Sequence, residues 1–139
     1  MPTRLLILGL LVLAVAVAVL LVRRWNARRS RALATSGTPM WDALGERPDG
    51  RRTVVAFSTP SCAACRTAQA PAIAVAAERL GPATVRVIRV DASRQPAVAH
   101  AFGVLTVPST VVLEPAGRVV AVNQGFAPSG RLIEQLQRA

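Results

Sequence analysis

The chain has 139 residues, with 17 Lys+Arg against 7 Asp+Glu and a formal net charge of +10. That length holds one small domain once any segment outside the core is set aside, and a 52% hydrophobic fraction with mean hydropathy +0.40 excludes a disordered chain. Two cysteines exclude a multi-bridge secreted scaffold, and the charge is too uneven for a nucleic-acid domain. Residues 1–34 hold six Arg and no acid, whereas residues 35–139 hold eleven Arg against seven acids, a net +4.

From Leu5 to Val22 the chain carries no charge or amide and is mostly Leu, Val and Ala. As a helix at ~1.5 Å per residue this run spans roughly 27 Å, close to the hydrocarbon thickness of a bilayer. The rest of the chain is too small to bury such a helix on all sides. A cleaved signal peptide is the rival reading, with Arg4 as its basic start and Ala32-Leu33-Ala34 as the cleavage site. Five Arg between the apolar run and Ala34 argue against it. Residues 1–22 are therefore expected to form an N-terminal transmembrane anchor in contact with the lipid bilayer through residues 5–22. Residues 23–37 follow as a basic juxtamembrane tether.

Arg23, Arg24, Arg28, Arg29 and Arg31 also bear on orientation. Only Arg4 and the terminal amine flank the other end, so the positive-inside rule puts the C-terminal part in the cytoplasm. The expected location is a single-pass protein of the cell membrane with its domain on the cytoplasmic side; the alternative is an extracytoplasmic domain. Trp25 suits the interfacial aromatic belt, and the Arg cluster reads as a flank solvated beside anionic head groups.

Ser30–Gly50 is rich in Gly, Pro and Ser, with a short helical candidate at Pro39–Leu44. Thr53–Phe57 is an apolar β-branched run of the kind found in buried parallel strands. Ser58-Thr59-Pro60-Ser61 marks a turn and helix start. Ser61–Leu80 reads as one helix, with Ile73, Ala76, Ala77 and Leu80 on one face and a kink expected at Pro71. Thr84–Val90 alternates as a strand, with Arg86 and Arg89 read as solvated. Gln95–Phe102 is a short helix ending at Gly103. Ser109–Leu113 and Arg118–Asn123 flank the turn sequence Glu114-Pro115-Ala116-Gly117 as an antiparallel hairpin. Pro128–Gln137 closes as a helix with Leu132, Ile133 and Leu136 inward. The order β-α-β-α-β-β-α predicts a mixed α/β sheet with helices on both faces, its first two strands parallel.

Both cysteines lie in Cys62-Ala63-Ala64-Cys65, after a strand and at a helix start. Unpaired N–H groups and the positive end of the helix dipole stabilise a thiolate there and raise its reactive fraction. The i, i+3 spacing brings the second sulfur within bonding reach. Such a pair attacks a disulfide through Cys62 and resolves the mixed disulfide through Cys65. Zinc uses the same spacing but needs four ligands, and with only His100 left it would require a second chain; no metal site is assigned. Two buried inert thiols fit poorly at an exposed strand-to-helix edge. Arg66, beside Cys65, is a candidate modulator of a thiol pKa or else a solvated helix residue. His100 reads as a surface residue, Asp91 as a strand end or turn cap, and Trp41 and Phe102 as core.

Over most of residues 38–139 the sequence resembles the thioredoxin family. Phe57, Cys62, Cys65, Asp91, the run Gly103-Val104-Leu105-Thr106-Val107-Pro108-Ser109-Thr110, Gly117 and Gly125 carry the likeness. The resemblance implies a thioredoxin-like fold over 38–139, with a cis proline at Pro108 packed against the sulfurs. It implies too that the Val107 backbone pairs with an extended substrate segment by strand addition. The departures are equally specific. The family motif usually reads Trp-Cys-Gly-Pro-Cys. Ala56 stands where many members have a buried Asp that helps move the resolving thiol's proton. Val87 stands where a buried Lys often accompanies it, and Pro71 falls one residue later than the usual helix proline.

These readings converge on a membrane-anchored thiol–disulfide oxidoreductase acting as a protein-disulfide reductant. Its partners would be protein dithiol or disulfide substrates and an upstream reductase, with no bound cofactor and no nucleic acid. The rival classes are an extracytoplasmic protein of cytochrome or envelope thiol chemistry and a non-catalytic thioredoxin-fold interaction module.

Overall fold

A computed structural model describes residues 2–35 and 39–139, in two units that divide between Ala32 and Leu33. The first unit is formed by helix α1 (Pro2–Thr35), whose 34 residues extend about 51 Å. Its stretch Thr3–Arg29 is long and apolar enough to cross a membrane and is unburied throughout, properties that a signal sequence shares. The helix continues through the basic segment, since Ala and Arg are both strong helix formers. There the Arg29 guanidinium lies 6.0 Å from the Trp25 ring, one turn back. The expected tether is thus helical as far as Thr35; its residues 36 and 37, and residue 38 where the domain was expected to begin, lie outside the described residues.

In the second unit, helix α2 (Trp41–Leu44) precedes strand β1 (Arg52–Ser58), helix α3 (Ala70–Leu80) and strand β2 (Val85–Asp91). Helix α4 (Pro96–Ala101), strands β3 (Ser109–Leu113) and β4 (Val119–Gln124) and helix α5 (Ser129–Arg138) complete it. The sheet order is β2-β1-β3-β4, with β1 parallel to β2 and antiparallel to β3, and β3 antiparallel to β4. This is the expected mixed sheet, covered on both faces. Val55, Phe57, Val111 and Leu113 pack with Trp41 and Phe102 on one face. Val54, Ala56 and Val112 pack with Ile73, Ala76, Leu132 and Leu136 on the other. The central position of β1 explains its unbroken apolar run, because both of its faces are buried. Phe57 and Phe102 meet at 5.5 Å between ring centroids, a tilted pair.

Three details differ from the sequence reading. The helix expected over Ser61–Leu80 is not continuous: Cys65–Gln69 form a π-helical turn, in which the Ala70 N–H reaches back five residues to the Cys65 carbonyl. Pro71 then falls in the first turn of α3, directly after the wide turn, which takes up the extra residue. Arg86 is not solvated. It pairs with Glu46, donates to the Arg47 carbonyl at 2.9 Å and lies 6.0 Å from the Trp41 ring, because its strand face turns toward α2. On α5, Ile133 is only half-buried, whereas Gln135 is buried and exchanges two hydrogen bonds with Asn123 at 2.8 and 2.9 Å. A polar side chain is tolerated there because its amide is satisfied at both ends.

Candidate active site

The β1/β2/β3/β4 register gathers the site at one end of the sheet. Ser58 at the end of β1 pairs with Asp91 at the end of β2, while Phe57 pairs with Ser109 at the start of β3. Ser109 also pairs with Gln124 at the end of β4. The segment after β1, the loop before β3 and the loop after β4 therefore meet there. They carry respectively the two cysteines, Val107-Pro108, and Gly125-Phe126-Ala127.

Cys62 and Cys65 form a disulfide. The turn from Thr59 is closed by the Cys62 N–H on the Thr59 carbonyl at 3.1 Å, which leaves Cys62 just ahead of the helical residues. The Cys65 N–H points at the Cys62 sulfur at 3.2 Å, so a helix-start donor faces that sulfur as the sequence position requires. Cys62 is half-buried, whereas Cys65 is only 7% exposed. The two cysteines thus differ in exposure.

The Val107–Pro108 peptide is cis, as the resemblance implied. Pro108 is buried and Val107 half-buried, while Leu105 and Thr106 are exposed. Gln124, to which no sequence motif points, fixes this loop. Its side-chain oxygen accepts from the Leu105 N–H and the Ser109 hydroxyl, both at 3.2 Å, and its amide nitrogen donates to the Gly103 carbonyl at 2.7 Å. Gln69, equally unmarked, reaches from the π turn to the loop after β4. Its side chain accepts the Ala127 N–H at 2.9 Å and donates to the Ala127 carbonyl at 3.0 Å. Phe126, next to this clamp, is 49% exposed.

Arg66 is exposed and its guanidinium turns back to donate to the Pro60 carbonyl. Asp91 ends β2 and caps the following turn, accepting the Ser93 N–H at 2.9 Å on Oδ1. The Ser93 hydroxyl bond to the same oxygen holds the Asp91 carboxyl below its usual range, helped by the Ser93 and Arg94 N–H groups and the Arg94 charge. His100 is exposed and borders a separate cleft beside Val104 and Val107. Behind the cysteine pair lies a cleft of about 380 Å³, with Ala56, Cys65, Arg66, Arg89 and Asp91 in its lining. Ala56 and Arg89 are direct partners in the β1/β2 register and both line this cleft, Ala56 buried and Arg89 exposed.

The fold and the paired sulfurs define a thioredoxin-fold protein with a disulfide-forming cysteine pair. The thioredoxin family profile matches residues 44–138, and the chain belongs to that family. It has no match among curated proteins. Among solved structures it is similar to the thioredoxin of Fasciola hepatica at 29% identity, with a TM-score of 0.54, covering 64% of this chain and 81% of that one. It is also similar to thioredoxin-2, described as a component of the malaria parasite protein secretion machinery. There the identity is 21% and the TM-score 0.57, over 64% of this chain and 84% of that one. Oxidised mitochondrial thioredoxin 3 of Saccharomyces cerevisiae aligns at 18% identity and a TM-score of 0.56, over 66% of this chain and 82% of that one.

Proposed function

We propose that the protein is a membrane-anchored thiol–disulfide oxidoreductase that reduces protein disulfides, with Cys62 as nucleophile and Cys65 as resolving thiol. The observation that carries the reading is the asymmetry of the pair. Cys62 is the more exposed residue and its sulfur receives a helix-start N–H at 3.2 Å, while Cys65 is buried. A donor aimed at a sulfur stabilises its thiolate, and access lets that thiolate reach a substrate. In the reaction the Cys62 thiolate attacks one sulfur of the substrate disulfide, and the other leaves as a thiolate. Cys65, losing its proton, then attacks Cys62; the Cys62–Cys65 bond forms and the second substrate thiol departs. Two electrons pass to the substrate, and an upstream dithiol reductase must return them.

In this reading Val107 offers its backbone to an extended substrate segment, Pro108 shapes the groove and shields the sulfurs, and Arg66 adds positive charge near Cys65. Helix α1 anchors the chain through residues 5–22. The Arg cluster after it favours a domain on the cytoplasmic side, where the ambient poise keeps the pair reduced and fit to donate electrons.

The test uses the full chain in detergent solution with insulin as the disulfide substrate and dithiothreitol as reductant. The wild type should accelerate insulin reduction, and Cys62→Ser should return the rate to that of dithiothreitol alone. Equal rates for the two proteins would reject the reading.

A further inference from the structure

We propose that the sulfur-bearing end of the domain selects its substrates by charge, docking an acidic polypeptide segment that flanks the disulfide to be reduced. This deepens the oxidoreductase reading and rests on it, since it names the class of protein on which the pair acts.

The charges of the domain are sorted between the two ends of the sheet. At the end where β1 and β2 begin, Arg51 pairs with Asp49, and Arg86 pairs with Glu46 and Asp49. The β3–β4 turn at that same end holds the Arg118–Glu114 pair, and α2, with Asp42, docks on this turn. Glu78 and Arg79 are neighbours in the last turn of α3, and Arg131 and Glu134 lie within one turn of each other on α5. Six of the seven acids of the chain are placed in this way, most of them beside an arginine.

The end that carries the sulfurs has a different balance. Arg66 follows Cys65 directly, and its guanidinium donates to the Pro60 carbonyl, two residues before Cys62. Arg89 stands two residues before the end of β2, an edge strand, and Arg94 lies in the turn that follows. All three are exposed, and among the described residues none forms an ion pair. Against these three arginines stands one acid, Asp91, whose Oδ1 already accepts from Ser93.

Two loops at this end also leave Leu105 and Phe126 half exposed, each at 49%. Apolar side chains bordered by cations suit a polypeptide surface better than a lone ion. Guanidinium groups pair well with carboxylates, and their charge draws an acidic segment from a distance when salt is low. A segment laid along Val107 therefore arrives faster when Asp or Glu flank its cysteine, and a basic segment is repelled. The charge acts on the encounter, before any bond changes.

The experiment mixes the reduced full-length protein, in uncharged detergent at fixed pH, with symmetrical fluorogenic peptide disulfides in a stopped-flow instrument. The peptides share the residues next to the cysteine and differ in flanks of Asp, Asn or Lys. The first phase reports attack by Cys62, and each rate is divided by that of the same peptide with dithiothreitol. At about 10 mM salt, where charges act over ~30 Å, the Asp peptide should exceed the Asn peptide by about tenfold, with the Lys peptide slowest. At about 1 M salt, where that range shrinks to ~3 Å, the three rates should converge. The double variant Arg89→Gln/Arg94→Gln should bring the Asp-to-Asn ratio toward unity, and Arg89→Lys/Arg94→Lys should retain it. Replacing Arg23, Arg24, Arg28, Arg29 and Arg31 of α1 with Gln should leave the ratio in place. A ratio of unity in the wild type, or one unaltered in Arg89→Gln/Arg94→Gln, would overturn the docking surface while leaving thiol exchange intact. A ratio lost with the α1 arginines would overturn it too, by assigning the attraction to the helix. Absence of the first phase with every peptide would overturn the oxidoreductase reading and this inference with it.

Discussion

At the scale of single residues, the amides of Gln69 and Gln124 do as much to build the site as the motif does. Each ties a loop to the sulfur-bearing end of the sheet with bonds that no apolar side chain replaces. Replacing Gln69 with Leu leaves the N–H and carbonyl of Ala127 without their partner, at a cost of about 1–3 kcal/mol for each buried group. The urea midpoint of the domain should fall clearly in Gln69→Leu, and an unchanged midpoint would show the clamp to be energetically idle. Neither glutamine is legible in the sequence. A Gln on an amphipathic helix reads as solvent-facing, and the extra residue of the π turn brings Gln69 into the interior at 3% exposure. The signal lies in Pro71, which sits one residue later than the family spacing. The cysteines are legible for the opposite reason, since two sulfurs three residues apart at a strand-to-helix edge have few other uses.

At the scale of elements, periodicity locates every strand and helix of the domain to within a residue or two, apart from the π turn. The apolar run of β1, the alternation of β2 and the turn sequence between β3 and β4 are sufficient. Contacts between elements are not legible. The β3–β4 turn is one case: the Met40 N–H donates to the Gly117 carbonyl at 2.9 Å, which docks α2 on the hairpin. Gly117 has φ +93°, and a methyl group on it would run into the Trp41 indole. Gly117→Ala therefore combines left-handed backbone strain with a collision in the core, and should destabilise the domain by about 2 kcal/mol or more. Thermal unfolding checks this; a melting temperature equal to that of the wild type would mean that α2 is not held there. The Arg86 ion pairs are likewise hidden, since nothing in the alternation of β2 shows that α2 and its acidic neighbours cover that face.

At the scale of the whole molecule, composition alone separates an apolar, Arg-flanked segment from the domain, and α1 has the length and exposure that such a segment needs. If the helix is retained as an anchor, the five Arg that follow its apolar run determine its sidedness. A reporter fused after Ala139 should behave as cytoplasmic, and protease added to intact cells should leave residues 39–139 uncut. An external reporter signal would reverse the placement and turn the pair toward extracytoplasmic thiol chemistry. The central claim, that the two cysteines divide the work of exchange, is tested most directly by trapping. Intact mass spectrometry of the full chain after incubation with a disulfide-bonded protein substrate should show Cys65→Ser carrying the substrate as a mixed disulfide on Cys62, and Cys62→Ser carrying none. Equal trapping by the two variants, or trapping only on Cys65, would contradict the assignment.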